Sequence, residues 1–403
     1  MRRQQLMSMF KSNTMKTCLK KPNVGIVNLP VFSSADKIAL DKHIRSISPS
    51  ANMVFVYTSN FTGDYPENVT IIEIGRTERP EKPSILKRIL DNVKPQLKLI
   101  INIAKSRNLD LVLFDIGEYR NVFTILFSKF LDKKTLVIHR SGNKFLEAKF
   151  NYSSGIEKVI PYIQEAILRI SYRVTDYILC ESPRIIEYGG LMRFRKKIRF
   201  YKHFVEIDRF VPIKPPSERE NIVGYAGRLT RKKGIINLVK AASLLRSCQD
   251  VKFIIIGDGE LKEEILREIK AQRLNDRVEM IRWVPDEDFP LYLAKMKIFA
   301  LPSYEEGVPI TLLEAMACGT IVLATPVGGI PNVIKNGKTG FILKNNEPET
   351  IAEGIIRILN HSHLDIIAKK ARNLIEKEYN FKAVSNEWSR LLQAIISDIR
   401  KMM

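Results

Sequence analysis

Short apolar runs bounded by turn residues alternate with longer segments of helical period from Asn23 to the end of the chain. That order admits few folds, because strands joined through helices run parallel and the joining helices cover both faces of the sheet. Strands are predicted near Asn23 to Asn28, Met53 to Thr58, Thr70 to Ile74, Asp110 to Phe114, Thr135 to His139 and Tyr177 to Cys180. A second set is predicted near Ile222 to Ala226, Val251 to Ile256, Val278 to Ile281, Ile298 to Leu301, Ile321 to Ala324 and Phe341 to Leu343. Helices are predicted between them, the longest near Ile85 to Arg107 and Gly155 to Tyr172. A chain of 403 residues also exceeds the ~250–300 at which one hydrophobic core stops growing. Ile207 to Glu220, with Pro212, Pro215 and Pro216 among charges, has the composition of an exposed linker. The expected fold is α/β, with a basic tail over 1–22, a doubly wound Rossmann-like domain over 23–206, the linker over 207–220, a second such domain over 221–385 and a last helix over 386–403. Two such domains facing each other set the carboxyl ends of both sheets on a central cleft, where ligands of these sheets bind.

Leu301 to Gly319, LPSYEEGVPITLLEAMACG, carries the densest chemical signal. A buried strand ends at Pro302 and Ser303, Gly307-Val308-Pro309 turns the chain, and a helix follows that Gly319 can stop. The N–H groups of Gly307, Val308, Ile310 and Thr311 then lie at a helix N-terminus, which binds phosphate through unpaired donors and the macrodipole. Glu306 stands just before that end, where a carboxylate accepts hydrogen bonds from sugar hydroxyls. Glu314, inside the helix, can chelate a vicinal diol such as a ribose. Each glutamate alone reads equally well as an ordinary helix-start or surface charge. In GYAGRLTRKKG, Gly227 ends a strand, and Arg228 and Lys233 occupy the turn to the next helix. Two cations there can hold a diphosphate and neutralise its charge as it leaves, although Arg231 and Lys232 beside them also fit a solvated basic loop. IGDGE, from Ile256 to Glu260, is a strand followed by a glycine turn at Gly257; Lys262 replaces the third glycine of a dinucleotide fingerprint.

These blocks, with ATPVGGIPNVIKNGKTGFIL from Ala324 to Leu343, resemble the C-terminal domain of the family-4 retaining glycosyltransferases over about Asn221 to Glu349. The resemblance implies a GT-B fold with a nucleoside-diphosphate sugar held by Gly227, Arg228, Lys233, Gly257, Val284, Glu306, Gly307, Val308, Pro309, Ile310 and Glu314. It implies a same-face substitution in which the leaving diphosphate helps deprotonate the acceptor hydroxyl, Arg228 and Lys233 stabilise it, Glu306 orients the sugar and Glu314 the ribose. No metal and no resident cofactor enter that scheme. His139, ending a predicted strand in LVIHRSGNK, matches a family histidine near the reacting sugar; on its residues alone it is a structural histidine. Asp115 and Glu118, in FDIGEYR, are candidates for acceptor contact. The last helix often crosses back to the first domain in that family. Three positions depart from the family's pattern: Asn28 to Ser34 lacks a glycine pair, Arg282 stands for a glycine near the base, and Asn332 for a glutamate.

The net charge of +21 is concentrated in residues 1–215, which hold 37 Lys and Arg against 20 Asp and Glu. Nucleic acid, anionic lipid and phosphorylated substrates all attract such a surface, but no nucleic-acid recognition pattern accompanies it. Arg193 to Phe200 is the densest basic patch, its aromatics placed as at a bilayer interface or on a solvated face. Cys18, Cys180, Cys248 and Cys318 form no CxxC pair, which speaks against a zinc site or disulfide framework. No apolar run approaches the ~18–20 residues of a membrane span, and the basic start has no continuous apolar stretch of signal-peptide type. The expectation is an enzyme, either cytosolic or peripheral on the membrane's cytoplasmic face, that moves a sugar to a glycan, glycolipid or lipid-linked acceptor in surface polysaccharide or glycoconjugate synthesis. The rival reading is a catalytically silent, glycosyltransferase-like nucleotide-binding subunit. An epimerase or phosphorylase of the same fold fits less well.

Overall fold

The computed structural model describes residues 21–29, 34–75, 85–106, 108–116, 121–139, 159–248 and 250–402. Residues 1–20 of the expected tail and Glu118 lie outside them. Seven strands build the first sheet: β1 (Asn23–Asn28), β2 (Met53–Thr58), β3 (Val69–Glu73), β4 (Leu111–Ile116), β5 (Lys134–Ile138), β6 (Tyr177–Cys180) and β7 (Ile198–Phe200). Their order is β3-β2-β1-β4-β5-β6-β7, with every pairing parallel. The crossovers carry helices α1 (Ser34–Ile47), α2 (Ile85–Lys105), α3 (Val122–Phe130), α4 (Ile160–Val174) and α5 (Arg184–Tyr188).

The second sheet has strands β8 (Ile222–Ala226), β9 (Lys252–Ile256), β10 (Val278–Ile281), β11 (Ile298–Leu301), β12 (Ile321–Ala324) and β13 (Phe341–Ile342), in the order β10-β9-β8-β11-β12-β13 and again parallel. Around it lie α6 (Ile235–Leu244), α7 (Lys262–Ala271), α8 (Phe289–Lys295), α9 (Ile310–Ala317), α10 (Ile330–Val333), α11 (Pro348–Leu359) and α12 (Leu364–Glu378). Strands β6, β11 and β12 are buried along their whole length, which is why they read as continuous apolar runs rather than alternating ones.

The last helix, α13 (Phe381–Met402), starts five residues before the expected Asn386 and belongs to the other half of the molecule. Val384, Trp388, Leu391, Leu392 and Ile395 share a core with Val24, Leu40, Ile44 and Leu113 of the first domain. The chain therefore crosses between domains twice, and the crossings touch in a bridge between Val205 and Asn380. The Ile207 to Glu220 segment is exposed from Val211 to Pro215, but Phe210, Pro216 and Arg219 are buried. Two arginines staple it: Arg219, and Arg372 of α12, which donates to the carbonyls of Phe210, Ala317 and Ile207.

Neither β7 nor the turn before it was expected. In the basic patch from Arg193 to Phe200, Arg193, Arg195, Lys196 and Phe200 are exposed, while Phe194 is buried edge-on to Tyr172 at 5.6 Å and Ile198 is buried on β7. Lys197 donates to the carbonyls of Tyr172 (3.2 Å), Arg173 (2.6 Å) and Thr175 (2.7 Å), capping the C-terminal end of α4. Arg199 lies over the Tyr177 ring. Of the apolar residues interleaved with these cations, Phe194 packs inward from the turn and Ile198 from the edge strand, while Phe200 is exposed.

Asp176, between α4 and β6, ties this edge together. It accepts from Lys129 Nζ at 2.7 Å, from the Thr135 amide at 2.9 Å and from the Thr135 hydroxyl at 3.0 Å. Burial works to raise its carboxyl, but the Lys129 and Thr135 hydrogen bonds and the charges of Lys129 and Lys134 hold it below the ordinary value. A depressed folded pKa contributes stability that is present above the unfolded pKa and is lost as pH falls through the folded one. Asp176→Asn is expected to cost ~1–3 kcal/mol at pH 7. In urea titrations the gap to wild type should close below about pH 4; a gap unchanged in acid would rule out the ionised carboxylate as its source.

Candidate active site

Strand order reverses between β8 and β11 in the second sheet, and the turns leaving them carry the sequence's charged candidates to one crevice. After β8, residues Arg231–Lys233 form a single 3-10 turn ended by Gly234 in the left-handed region at φ +65°. A side chain there would run into the Pro302 carbonyl, so glycine lets the turn press against the end of β11. Lys233 Nζ consequently reaches Glu306, 2.7 Å from Oε1 and 2.8 Å from Oε2. Ser303, three residues before Glu306, donates to Oε1 at 2.6 Å, and the Tyr304 amide donates to the Lys232 carbonyl at 2.7 Å. Glu306 is buried, while Arg228 is exposed at the mouth of the same turn, its carbonyl held by the Tyr225 hydroxyl at 2.8 Å.

Helix α9 begins directly over this pair. Its N-cap, Pro309, makes no side-chain cap, so the preceding amides are offered to other groups. Gly329 donates its amide to the Gly307 carbonyl at 2.8 Å, which seats the Gly328-Gly329 loop against Glu306 and Gly307. The Val308 amide donates to Glu181, a residue of the first domain just beyond β6. Glu181 also accepts from the Tyr201 hydroxyl at 3.2 Å and lies 3.4 Å from His203 Nε2. A side chain at Gly307 would meet the Glu181 carboxylate, which would have to shift to admit it. Glu314, one helix face further, is buried opposite Lys42 of α1 at 3.6 Å, and Lys42 also donates to the Phe204 carbonyl at 2.8 Å. Burial raises the Glu314 carboxyl and the Lys42 charge opposes the rise.

The other candidates are spread more widely. Asp258, in the Gly257 turn, pairs with Arg282 at 2.8 Å; Trp283 beside it is exposed and Val284 buried. His139 is buried at the end of β5, its Nδ1 2.6 Å from the Tyr172 hydroxyl and its Nε2 against the backbone of Gly189. These contacts lie within the first domain rather than with the Lys233–Glu306 pair. Asp115, a candidate for acceptor contact, is engaged within the first domain. It is fully buried at the first sheet's own switch point, accepting from Asn28 Nδ2 at 2.5 Å and lying 3.1 Å from His43 Nδ1. Enclosed between β1 and β4, this carboxylate braces the loop ends.

Three contributors escaped the sequence. Ser303 had a usable signal in its spacing to Glu306. Glu181 and Lys42 had none, since they lie in the first domain more than a hundred positions from the helix they touch. The arrangement as it stands is electrically balanced. A cation lies on a carboxylate, a carboxylate sits on a helix-terminal amide, and a second ammonium lies opposite the buried carboxylate of α9. Phosphate oxygens have the polarity to accept from Lys233, Arg228 and the Val308 amide, and ring hydroxyls have the polarity to donate to Glu306 and Glu314.

Parts of the chain are similar to known proteins. Residues 206–381 match the family described as glycosyl transferases group 1. The Escherichia coli protein named "Putative colanic acid biosynthesis glycosyltransferase WcaL" is 32% identical over 213 residues, covering 50% of this chain and 52% of its own length. The UDP-Gal:alpha-D-GlcNAc-diphosphoundecaprenol alpha-1,3-galactosyltransferase of Escherichia coli is 27% identical over 198 residues, covering 46% of this chain and 51% of that protein. The match thus spans about half the length of these curated relatives. The structure of sucrose-phosphate synthase from Thermosynechococcus elongatus superposes with a TM-score of 0.73 at 19% identity, over 94% of this chain and 100% of that one, and establishes the shared two-domain GT-B fold. The part of the chain that is similar to the glycosyl transferases group 1 family is thus its second domain, where Lys233 meets Glu306 beneath α9.

Proposed function

We propose that the chain is a retaining glycosyltransferase that takes a nucleoside-diphosphate sugar on its second domain and transfers the sugar to a glycan, glycolipid or lipid-linked acceptor held by the first. The observation that carries this reading is the Lys233–Glu306 pair at the β8/β11 switch point beneath the N-terminus of α9. A diphosphate entering there draws Lys233 and Arg228 to itself and takes the Val308 amide from Glu181. Glu306, released from its ammonium, then accepts from the donor sugar's hydroxyls, and Glu314 exchanges Lys42 for the ribose diol. The acceptor oxygen bonds to the anomeric carbon as the bond to the diphosphate breaks on the same face, and the acceptor's proton passes to a diphosphate oxygen. Fixed cations and an oriented amide stabilise the charge that develops on that leaving group. No resident cofactor is invoked. The surface-polysaccharide roles in the relatives' names support an acceptor of that class.

Thermal unfolding with UDP, GDP and ADP in turn tests the donor site. A matching nucleotide at ~100 times its dissociation constant should stabilise the chain by ~2.7 kcal/mol, and the corresponding nucleotide sugar should be turned over with release of that nucleotide. Stabilisation without turnover of any nucleotide sugar would leave a silent binding subunit. Neither stabilisation nor turnover would remove the reading altogether.

A further inference from the structure

The two helical layers of the first domain end differently. On one face of the sheet, α1 is sealed by α13 and its buried Trp388. On the other, α3 lies between α2 and α4, and the inner side of this layer is buried through Leu99, Ile103, Ile125, Leu168 and Tyr172. Its outer side is apolar as well. On α3, Phe123, Leu126 and Phe130 recur at helical spacing and are exposed, Phe123 to 67% and Phe130 to 81%. Leu97 and Ile101 on α2 and Tyr162 and Ile163 on α4 are also exposed. Single exposed apolar residues are ordinary, but aromatic and aliphatic side chains repeated over three neighbouring helices make a face that calls for an occupant.

Charge selects the occupant. Helices α2, α3 and α4 carry eight Lys and Arg against Asp91 and Glu165 alone. Lys129 is committed to Asp176 and Arg169 to Glu165, while Lys94, Lys98, Lys105 and Arg173 are exposed. A second copy of the chain would bring equal positive charge to the contact, and a neutral bilayer would leave the cations without counterparts. An anionic bilayer accepts the aromatic and aliphatic side chains below its headgroups and the cations at them.

We propose that the outer face of α2, α3 and α4 docks the chain on an anionic lipid surface. The three helices follow β3, β4 and β5, so each starts at the cleft end of the sheet. A membrane against this layer borders the cleft on its first-domain side, where a lipid-borne acceptor would arrive. This docking does not depend on the donor-site reading, because it is measured with no nucleotide present.

The test is co-sedimentation of the full chain with vesicles of equimolar phosphatidylglycerol and phosphatidylcholine, and with vesicles of phosphatidylcholine alone. Wild type should pellet with the anionic vesicles only, less so as salt is raised. Phe123→Asp/Phe130→Asp should lower the partition coefficient by roughly a hundredfold, and Lys94→Glu/Lys98→Glu should lower it with the salt dependence weakened. Ile366→Asp, an exposed position on α12 of the second domain, should bind as wild type. All variants alter exposed side chains, and equal melting temperatures verify their folding. Wild type that stays in solution with both vesicles, or a Phe123/Phe130 variant that pellets like wild type, overturns the proposal. So does a wild-type chain that is dimeric without lipid while that variant is monomeric, which would make the face a homotypic interface.

Discussion

Lys233→Ala is expected to lower turnover of the matching nucleotide sugar by about 10²–10³-fold, the usual loss when one preorganised charge partner of a developing anion is removed. In the structure Lys233 spans both oxygens of Glu306 at 2.7 and 2.8 Å, so the substitution removes a phosphate partner and leaves a buried carboxylate with Ser303. The second effect lowers stability as well, and the comparison with Glu306→Gln separates the two. That variant keeps Lys233 for the diphosphate, so it should retain nucleotide-induced thermal stabilisation while losing sugar turnover. Lys233→Ala/Arg228→Ala should lose the stabilisation. The measurement is nucleotide release from the donor beside thermal shifts with the free nucleotide. If Lys233→Ala stays within about threefold of wild type in kcat/KM, the lysine acts in the fold and not on the transition state.

Arg219→Ala is expected to cost ~3–5 kcal/mol of stability, among the largest losses a single substitution here can cause. Its guanidinium donates to the carbonyls of Lys214 (2.9 Å), Met296 (2.8 Å) and Cys318 (2.8 Å) and to the Thr320 hydroxyl (2.9 Å). Burial lowers its pKa to about 10, which leaves it cationic at neutral pH. One side chain therefore joins the interdomain linker to the loops that enter β11 and β12, at the end of the sheet opposite the cleft. Alanine would leave three buried acceptors, the Met296 and Cys318 carbonyls and the Thr320 hydroxyl, short of a donor. Arg219→Lys should recover only part of the loss, because one ammonium lacks the planar fork that reaches three loops at once. Guanidinium chloride unfolding, followed by fluorescence and far-UV dichroism, reads the effect. A loss below about 1 kcal/mol for Arg219→Ala would mean that the linker is held by Arg372 and packing alone.

Legibility followed the range of the interaction. The predicted strands agree with those observed to within a residue or two, since a strand buried on both faces declares itself as a local apolar run. The three-residue β7 did not, because five cations around two inward apolar residues read as a surface. The second domain's charged residues were legible because they sit on short turns, where glycine, proline and one or two charges carry most of the geometry. In the first domain Asp115 has the same outward signal as a cleft residue, and only the packing of β1 against β4 with His43 above it makes that carboxylate internal.

By itself the sequence determined two parallel sheets and the positions of the second-domain turns, because strand burial, helix starts and glycine conformations are decided within about ten neighbours. Tertiary structure alone decided that α13 completes the first domain, that Glu181 and Lys42 reach across to α9, and that three amphipathic helices leave their second apolar faces side by side. The physical reason is the same in each case. A side chain's partner across a cleft or a layer depends on how whole sheets and helices are set against one another, and that placement carries no spacing that a single chain can display.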